Sequence, residues 1–368
     1  METTDGAHRH AQKRVADELL RRIAVAQYAV GGRLPTENEL TGEFGVSRGT
    51  VRRAFRRLIE SGVVEHRHGV GCIVRRCDAN RETEPKSVMF LYPEVMLLNS
   101  QTIEGMQRSA FAQGAEFGMM AITPDPEAVR GTVVRLKRNR TSGVVFIPFI
   151  RHDFHGLNNR LLDLFEEYEL RCVVIDTPVI RRNAIRGDFV GQDDYNAMRL
   201  LVKTLARNGF RRFASIRVFP EVYSSSRRFC GTVDGLEEAG LPVYGELHRV
   251  SEDGPLPEQG RRQLREILNR PETPDVILCG YDLIAMNVLD ELKKLGRRVP
   301  DEISVAGFGD TDYYSTLFEL TSVRQPMAEI GRRAVEILLG RRRAVCQEFL
   351  PCEPVLRRSC RTPGGIGG

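Results

Sequence analysis

The residues best placed to do chemistry are arginines. Within Ser47–Arg57 stand Arg48, Arg52, Arg53, Arg56 and Arg57, with no acid among them. On a helical wheel Val51, Ala54, Phe55 and Leu58 share one face while Arg52, Arg53 and Arg56 occupy the other, so a helix is expected over about 48–61. A guanidinium is a planar, permanently charged fork that pairs with phosphates and with the edge of guanine. A charge run is most often a solvated face, but this one is local: residues 1–78 carry a net charge of +4 out of +5 for the whole chain of 368 residues. Catalytic patterns do not compete with it. There is no G-x-S-x-G, H-E-x-x-H or phosphate-binding glycine loop. His152-Asp153-Phe154-His155 imitates a metal pair, but its spacing suits neither one helix face nor one strand face. The eight cysteines (72, 77, 172, 230, 279, 346, 352 and 360) include no C-x-x-C, so reduced, mostly buried thiols are expected rather than zinc or disulfides. No metal and no cofactor is expected.

The arginine helix needs neighbours to hold it. Val15, Leu19, Leu20 and Ile23 recur at helical spacing and predict an amphipathic helix over 9–26, stopped by Gly31-Gly32. Thr36 precedes Glu37 and Glu39 as an N-cap followed by first-turn acids, and Leu40 and Phe44 are the buried pair of that short helix. Gly45 ends it, Val46 plugs the turn, and Ser47 caps the arginine helix, which Gly62 terminates. Val63-Val64-Glu65, the turn His66-Arg67-His68-Gly69 and Cys72-Ile73-Val74 read as a two-stranded wing.

These residues carry a specific resemblance. The run Gly32-Arg33-Leu34-Pro35-Thr36-Glu37, Glu39-Leu40, Phe44-Gly45-Val46-Ser47-Arg48, Thr50-Val51-Arg52, Leu58, Gly62-Val63-Val64 and Gly69-Val70-Gly71 resembles the GntR family of winged helix-turn-helix repressors. The resemblance implies that Arg48 and Arg52 reach guanine edges or neighbouring phosphates. It further implies that Ser47, Thr50 and the backbone at Gly49 hold phosphates, and that His68 and Gly69 at the wing tip enter the minor groove. Thr36 and Arg56 complete the expected DNA-facing set. Asn38 departs from the family, which often has arginine there.

The remaining length calls for a larger module. Residues 75–86 are polar and aperiodic and read as a linker. From Ser87 onward, short apolar runs alternate with helical stretches: strands over Ser87–Tyr92, Gly118–Thr123, Gly143–Ile147, Cys172–Asp176, Phe213–Arg217, Val276–Cys279 and Ile303–Gly307, and helices over 101–117, 157–168, 193–208, 258–269 and 282–295. Such alternation predicts an α/β architecture, two doubly wound lobes of parallel sheet with a cleft at their carboxyl edges. Gly209-Phe210-Arg211-Arg212-Phe213, Arg228-Phe229-Cys230-Gly231, Tyr281-Asp282-Leu283-Ile284-Ala285, Val299-Pro300-Asp301-Glu302-Ile303-Ser304-Val305-Ala306-Gly307-Phe308 and Leu320-Thr321-Ser322-Val323-Arg324-Gln325-Pro326 resemble the LacI-type sensor domain, built like a periplasmic sugar-binding protein. By that resemblance Asp176, Arg228, Tyr281 and Asp310 are the expected effector contacts, with interlobe crossovers near 190 and 325. Two departures stand out. Tyr281 replaces a common asparagine, and the acid after Phe308 is displaced by Gly309 to Asp310.

The expected organisation is thus a winged-helix domain over 1–76, a linker over 77–86, an effector-binding and dimerisation domain over 87–360, and a disordered tail over 361–368. No segment approaches eighteen apolar residues, and the start METTDGAHRH lacks a signal peptide's apolar stretch, so a cytoplasmic protein is expected. The reading is a non-enzymatic transcription regulator. It binds double-stranded operator DNA as a homodimer and responds to a carbohydrate-like effector. Two rivals are a DNA-binding module fused to an aminotransferase-like enzyme and a sugar-binding protein with no operator function.

Overall fold

A computed structural model describes residues 3–24, 27–75, 86–94, 99–150, 152–251, 256–310, 317–340 and 344–361. The chain divides into two compact units, Met1–Pro85 and Lys86–Gly368. Most of the linker expected over 77–86 and nearly all of the tail expected over 361–368 lie outside the described residues.

The first unit folds as expected, with α1 starting earlier. It contains α1 (Thr3–Ala24), α2 (Glu37–Phe44), α3 (Arg48–Glu60), β1 (Val64–Arg67) and β2 (Gly71–Val74). Thr36 and Glu39 form a complete capping box at the start of α2, and Gly45 ends that helix at a φ of 63°. Val15, Leu19, Ile23, Leu34, Leu40, Val51, Ala54, Phe55 and Leu58 make one shared core with Val64 and Val74 of the wing. The wing pairs Val64 with Val74 and Arg67 with Gly71. Arg33 adds an antiparallel bridge to Ile73, which anchors the wing to the turn before α2.

The second unit has two lobes. The chain enters the first through β3 (Lys86–Pro93), α4 (Ser100–Ala112), β4 (Ala115–Ile122), α5 (Pro126–Arg138), β5 (Gly143–Phe146), α6 (His155–Glu167) and β6 (Cys172–Ile175). A small hairpin, β7 (Ile180–Arg181) with β8 (Ala184–Ile185), leads into β9 (Asp188–Gln192). It then crosses to the second lobe: α7 (Asp194–Arg207), β10 (Phe213–Val218), α8 (Tyr223–Glu238), β11 (His248–Ser251), α9 (Leu256–Leu268), β12 (Val276–Cys279), α10 (Asp282–Lys294), β13 (Ser304–Ala306) and β14 (Ser322–Arg324). It returns for α11 (Met327–Leu339) and β15 (Gln347–Leu350), and crosses once more to β16 (Glu353–Val355), which pairs antiparallel with β14. The first sheet has the order β15-β9-β6-β5-β3-β4 and the second β11-β10-β12-β13. Every pair within these two sheets is parallel.

Helices cover both faces of each sheet, which is why the strands read as unbroken apolar runs. In β5, Val144 and Phe146 face one core with Leu161 and Phe165, while Val145 faces the other with Ile330 and Val335. The expected helix over 101–117 is corrected: it ends at Ala112, because Gly114 turns the chain at a φ of 66° into β4. The sequence reading named neither α5, α8 and α11 nor β9, β11 and β14 to β16 as elements. Of the three crossovers, the one through residues 350–353 was not anticipated.

Helix pairs on the sheet faces approach closely through glycine. A Cβ at Gly231 of α8 would run into the Tyr195 carbonyl of α7, and one at Gly331 of α11 into the Thr102 carbonyl of α4. We expect Gly231→Ala to cost about 1–3 kcal/mol through overpacking. Gly131→Ala, in α5 with open space around it, should instead stabilise by about 0.5–1 kcal/mol. Urea denaturation of the two variants checks both signs.

Candidate functional site

Two sites emerge, one in each unit. In the first, Ser47 caps α3 by accepting from the Thr50 amide, and its Oγ lies 2.9 Å from Thr50 Oγ1. Thr50 is buried, so the structure corrects its expected role: its hydroxyl fixes the start of the helix and does not face a phosphate. Thr36 is exposed, but its hydroxyl is bound to Glu39 within the capping box. Arg48, Arg52 and Arg56 project from the exposed face of α3, and His68 and Gly69 form the exposed wing turn, with Gly69 at a φ of 77°.

One residue that sequence reasoning placed only as a first-turn acid organises this surface. Glu37 accepts from Arg48 Nε at 3.1 Å and from both Arg52 Nε and an Arg52 terminal nitrogen at 3.1 Å. Arg52, and after it Arg48, holds the Glu37 carboxyl below the usual carboxylate range, against the opposing effect of burial. The two guanidiniums remain about 60% exposed (62% and 60%), so Glu37 orients them without covering them. No periodicity reveals this, because the bridge spans the turn between α2 and α3.

In the second unit, the carboxyl ends of β5, β6, β10 and β12 converge between the lobes. Arg228 of α8 lies buried there. Its Nε donates to Asp194 Oδ1 at 2.7 Å, and a terminal nitrogen donates to the Gly280 carbonyl at 2.7 Å. Its guanidinium stacks 3.7 Å from the Phe308 ring centroid and lies 4.9 Å from that of Tyr281. Asp176, in the left-handed region at a φ of 69°, accepts from Gln192 Nε2 at 3.0 Å, while the buried Gln192 Oε1 has no hydrogen-bond partner. Burial raises the Asp194 carboxyl to about 6 against the pull of Arg228, and Asp176 adds to the rise. Burial likewise raises Asp176 and the Tyr281 phenol.

Three of the expected effector residues, Asp176, Arg228 and Tyr281, are therefore brought together, with Asp194 and Gln192 as unforeseen partners. The chain's own Arg228 lies over one face of the Tyr281 ring. Asp310 is corrected as a ligand contact. It is buried, and its oxygens accept from Arg324 Nε at 2.8 Å and from an Arg357 terminal nitrogen at 2.6 Å. It braces the stretch where β14 meets the C-terminal segment.

Beside this cluster a cavity of about 270 Å³ opens between the lobes. Phe149, Asn158 and Thr177 line it from the first lobe, and Glu221, Tyr223 and Ser226 from the second. Asn158 positions its neighbour rather than a ligand: it accepts from the Phe149 amide at 3.0 Å and donates to the Phe149 carbonyl at 2.9 Å. Thr177 follows Asp176 directly, so cavity and cluster share the end of β6. Among the described residues, no group of His, Cys, Asp or Glu is arranged to hold a metal ion, and no helix is long and apolar enough to cross a membrane.

A winged helix with an oriented arginine pair, and a unit of two parallel-sheet lobes around a polar cavity, define a DNA-binding transcription regulator. Residues 11–74 match the bacterial regulatory proteins of the gntR family, and residues 202–360 match the periplasmic binding protein-like domain. The chain is 25% identical over 336 residues to the arabinose metabolism transcriptional repressor of Geobacillus stearothermophilus, covering 88% of each. It is 28% identical over 253 residues to the HTH-type transcriptional repressor PurR of Pectobacterium atrosepticum, covering 66% of this chain and 69% of that one. Its fold is similar to that of the transcriptional regulator CelR in complex with cellobiose, with a TM-score of 0.64 and 21% identity over 89% of this chain and all of the other. A regulatory protein of the LacI family from Chloroflexus aggregans superposes with a TM-score of 0.64 at 20% identity, over 75% of this chain and 99% of that one. The chain thus joins a GntR-type winged-helix domain to a periplasmic-binding-protein-like domain.

The pH dependence of the interlobe cluster follows from Asp194. An ordinary aspartate titrates near 4, whereas folded Asp194 titrates at about 6. Between these values the folded chain binds a proton that the unfolded chain releases, so this group's contribution to stability falls as pH rises through the window. Asp194→Asn should flatten that slope. Urea midpoints measured across the window for both proteins check it, and an unchanged slope would contradict the assignment.

Proposed function

We propose that the protein is a cytoplasmic repressor that binds a near-palindromic operator as a homodimer and is controlled by a small carbohydrate-like metabolite in the interlobe cavity. The observation that carries the DNA half is the Glu37 bridge, which presents Arg48 and Arg52 together, exposed, at the start of α3. In this reading these two read guanine edges or hold adjacent phosphates. Arg56 and the Ser47 end of the helix contact the backbone, and His68-Gly69 enters the minor groove. The effector half is supported by the cavity, whose size lies near the lower end of the range for ligand sites, roughly 300 Å³, and by the carboxylate and amide acceptors beside it, suited to hydroxyl donors. The arabinose repressor and the cellobiose complex among similar proteins point the same way. The dimer is assigned to α4, where Phe111 stands 85% exposed, and to α10, with isologous symmetry. Effector release of DNA is preferred to corepression.

The test is fluorescence anisotropy of the full chain on DNA selected from a random pool, followed by a panel of neutral sugars. Arg52→Ala and Arg48→Ala should each weaken selected DNA by about 1–3 kcal/mol and relax base preference. Glu37→Ala should weaken it less, because the arginines remain but lose their orientation. Ser226→Trp should fill the cavity and abolish the sugar response with DNA affinity retained. No sequence preference in the selected pool, or full affinity in both arginine variants, refutes the DNA reading. Arg228→Ala is a poor probe here, since it strands the buried Asp194, which typically costs about 3–5 kcal/mol. Phe111→Glu should shift the chain toward monomer in sedimentation, and a monomeric parent at micromolar concentration would remove the dimer.

A further inference from the structure

The second lobe carries an arginine that none of the foregoing uses. Strand β10 runs Phe213, Ala214, Ser215 and Ile216, all buried, and then places Arg217 on the same face as Ser215, under α8. A cation in the interior of such a strand breaks the local pattern, and breaks of this kind concentrate at functional positions. Arg217 is half-buried, and its guanidinium stacks 3.7 Å from the Phe229 ring centroid. Among the described residues no carboxylate pairs with it, and its buried Nε has no hydrogen-bond partner. Stacking occupies a face of the group, while all its N–H donors lie in its plane. The buried Nε donor is unanswered.

A second orphan lies beside it. His248 on β11 sits directly across from Ser215 in the parallel register, and its Nδ1 is 2.8 Å from Ser215 Oγ. Its ring meets Phe229 edge-on, with centroids 5.6 Å apart, and its Nε2 is buried without a partner. Phe229 therefore has Arg217 over its ring and His248 at its side. Among the described residues, the other charged or titratable groups near the pair are few. Cys230 on α8 is exposed, Glu246 lies on the turn before β11, and Arg249 belongs to the opposite face, paired with Glu266 at 3.0 Å. In the tautomer whose Nδ1 accepts from Ser215, and in the imidazolium, Nε2–H is a donor. Two donor groups converge without an acceptor between them.

We propose that Arg217 and His248 form an oxyanion-binding site, separate from the interlobe cavity, for a small ligand bearing a phosphate or carboxylate group. An oxygen pair of such a ligand accepts from the guanidinium edge and from Nε2, satisfying both orphans and neutralising a half-buried cation that no carboxylate among the described residues pairs with. Burial, and then the charge of Arg217, holds free His248 down at about 4. A bound oxyanion cancels that charge and stabilises the imidazolium, so binding takes up a proton and tightens as pH falls toward that value. Arg217 lies a few residues before Glu221 and Val222, which line the interlobe cavity.

The experiment follows the His248 ring by NMR in the full chain during pH titration, in chloride and at matched ionic strength in inorganic phosphate or acetate. The expected result is an upward shift of the His248 midpoint with phosphate or acetate and none with chloride. A shift with phosphate alone assigns a phosphate ligand, and an equal shift with acetate a carboxylate. Arg217→Met, which keeps the apolar stack, should weaken phosphate binding at least tenfold and abolish the shift. His248→Gln serves if that variant fails to fold: it should retain the fold and lose the proton uptake on binding. An unmoved midpoint, or one that moves equally in chloride or in Arg217→Met, overturns the site.

Discussion

The buried pairing of Arg228 with Asp194 is the interaction around which the second unit is assembled. Asp194 opens α7 at the first crossing between lobes, Arg228 belongs to α8, and the same guanidinium reaches the Gly280 carbonyl at the end of β12. One side chain thus ties together a crossover, a helix and a strand end. Taking two charges out of water is expensive, and their attraction offsets this only when the remaining donors and acceptors are met. Here the Phe308 ring covers the guanidinium, and the second carboxylate, Asp176, adds its field from the first lobe. The arrangement is a demanding one, with more negative charge than positive in a nearly dry place. Such clusters tend to belong to sites rather than to cores.

The first unit solves a related problem at its surface. Five arginines on one short helix repel one another and are costly to hold in a fixed order. Glu37 takes two of them, and because it stands in the first turn of α2 it also complements that helix's dipole. The left-handed Gly45 that ends α2 and the cap at Ser47 then fix both ends of the turn between the helices. What the wing adds is anchored by the bridge from Arg33 to Ile73. The recognition surface is therefore held by short polar contacts laid over a single apolar core.

Much of this was legible in the chain itself, for identifiable reasons. The α3 wheel, with Val51, Phe55 and Leu58 opposite the arginines, survives in the structure because helical periodicity is local. The buried strands were visible because parallel sheets covered on both faces read as apolar runs. What escaped was long-range. Thr50 looks like a phosphate ligand until its hydroxyl is seen to turn inward to Ser47. Asp310 looks like a cleft acid until Arg324 and Arg357 are found at its oxygens. Glu37, Asp194 and Gln192 gain their roles from partners far away in sequence or across a turn, and no spacing rule reaches them. The helix expected to run to 117 stopped at 112 because Gly114 reverses the chain, a signal present in the sequence but outweighed by the apolar pattern around it.

The place of β15 has a consequence for how the chain is made. This strand completes the edge of the first lobe's sheet by pairing with β9, yet its residues, 347–350, are synthesised after all of the second lobe's strands but β16. During translation the first lobe must wait with the outer edge of β9 unpaired, while all but the last strand of the neighbouring lobe emerges from the ribosome. Chains ordinarily fold domain by domain from the N-terminus, and exposed strand edges invite pairing with other nascent chains. Here vectorial folding is interrupted by the topology, and the synthesis of residues 347–350 governs when the first lobe closes. A ribosome that stalls before residue 347 leaves both lobes unfinished at once.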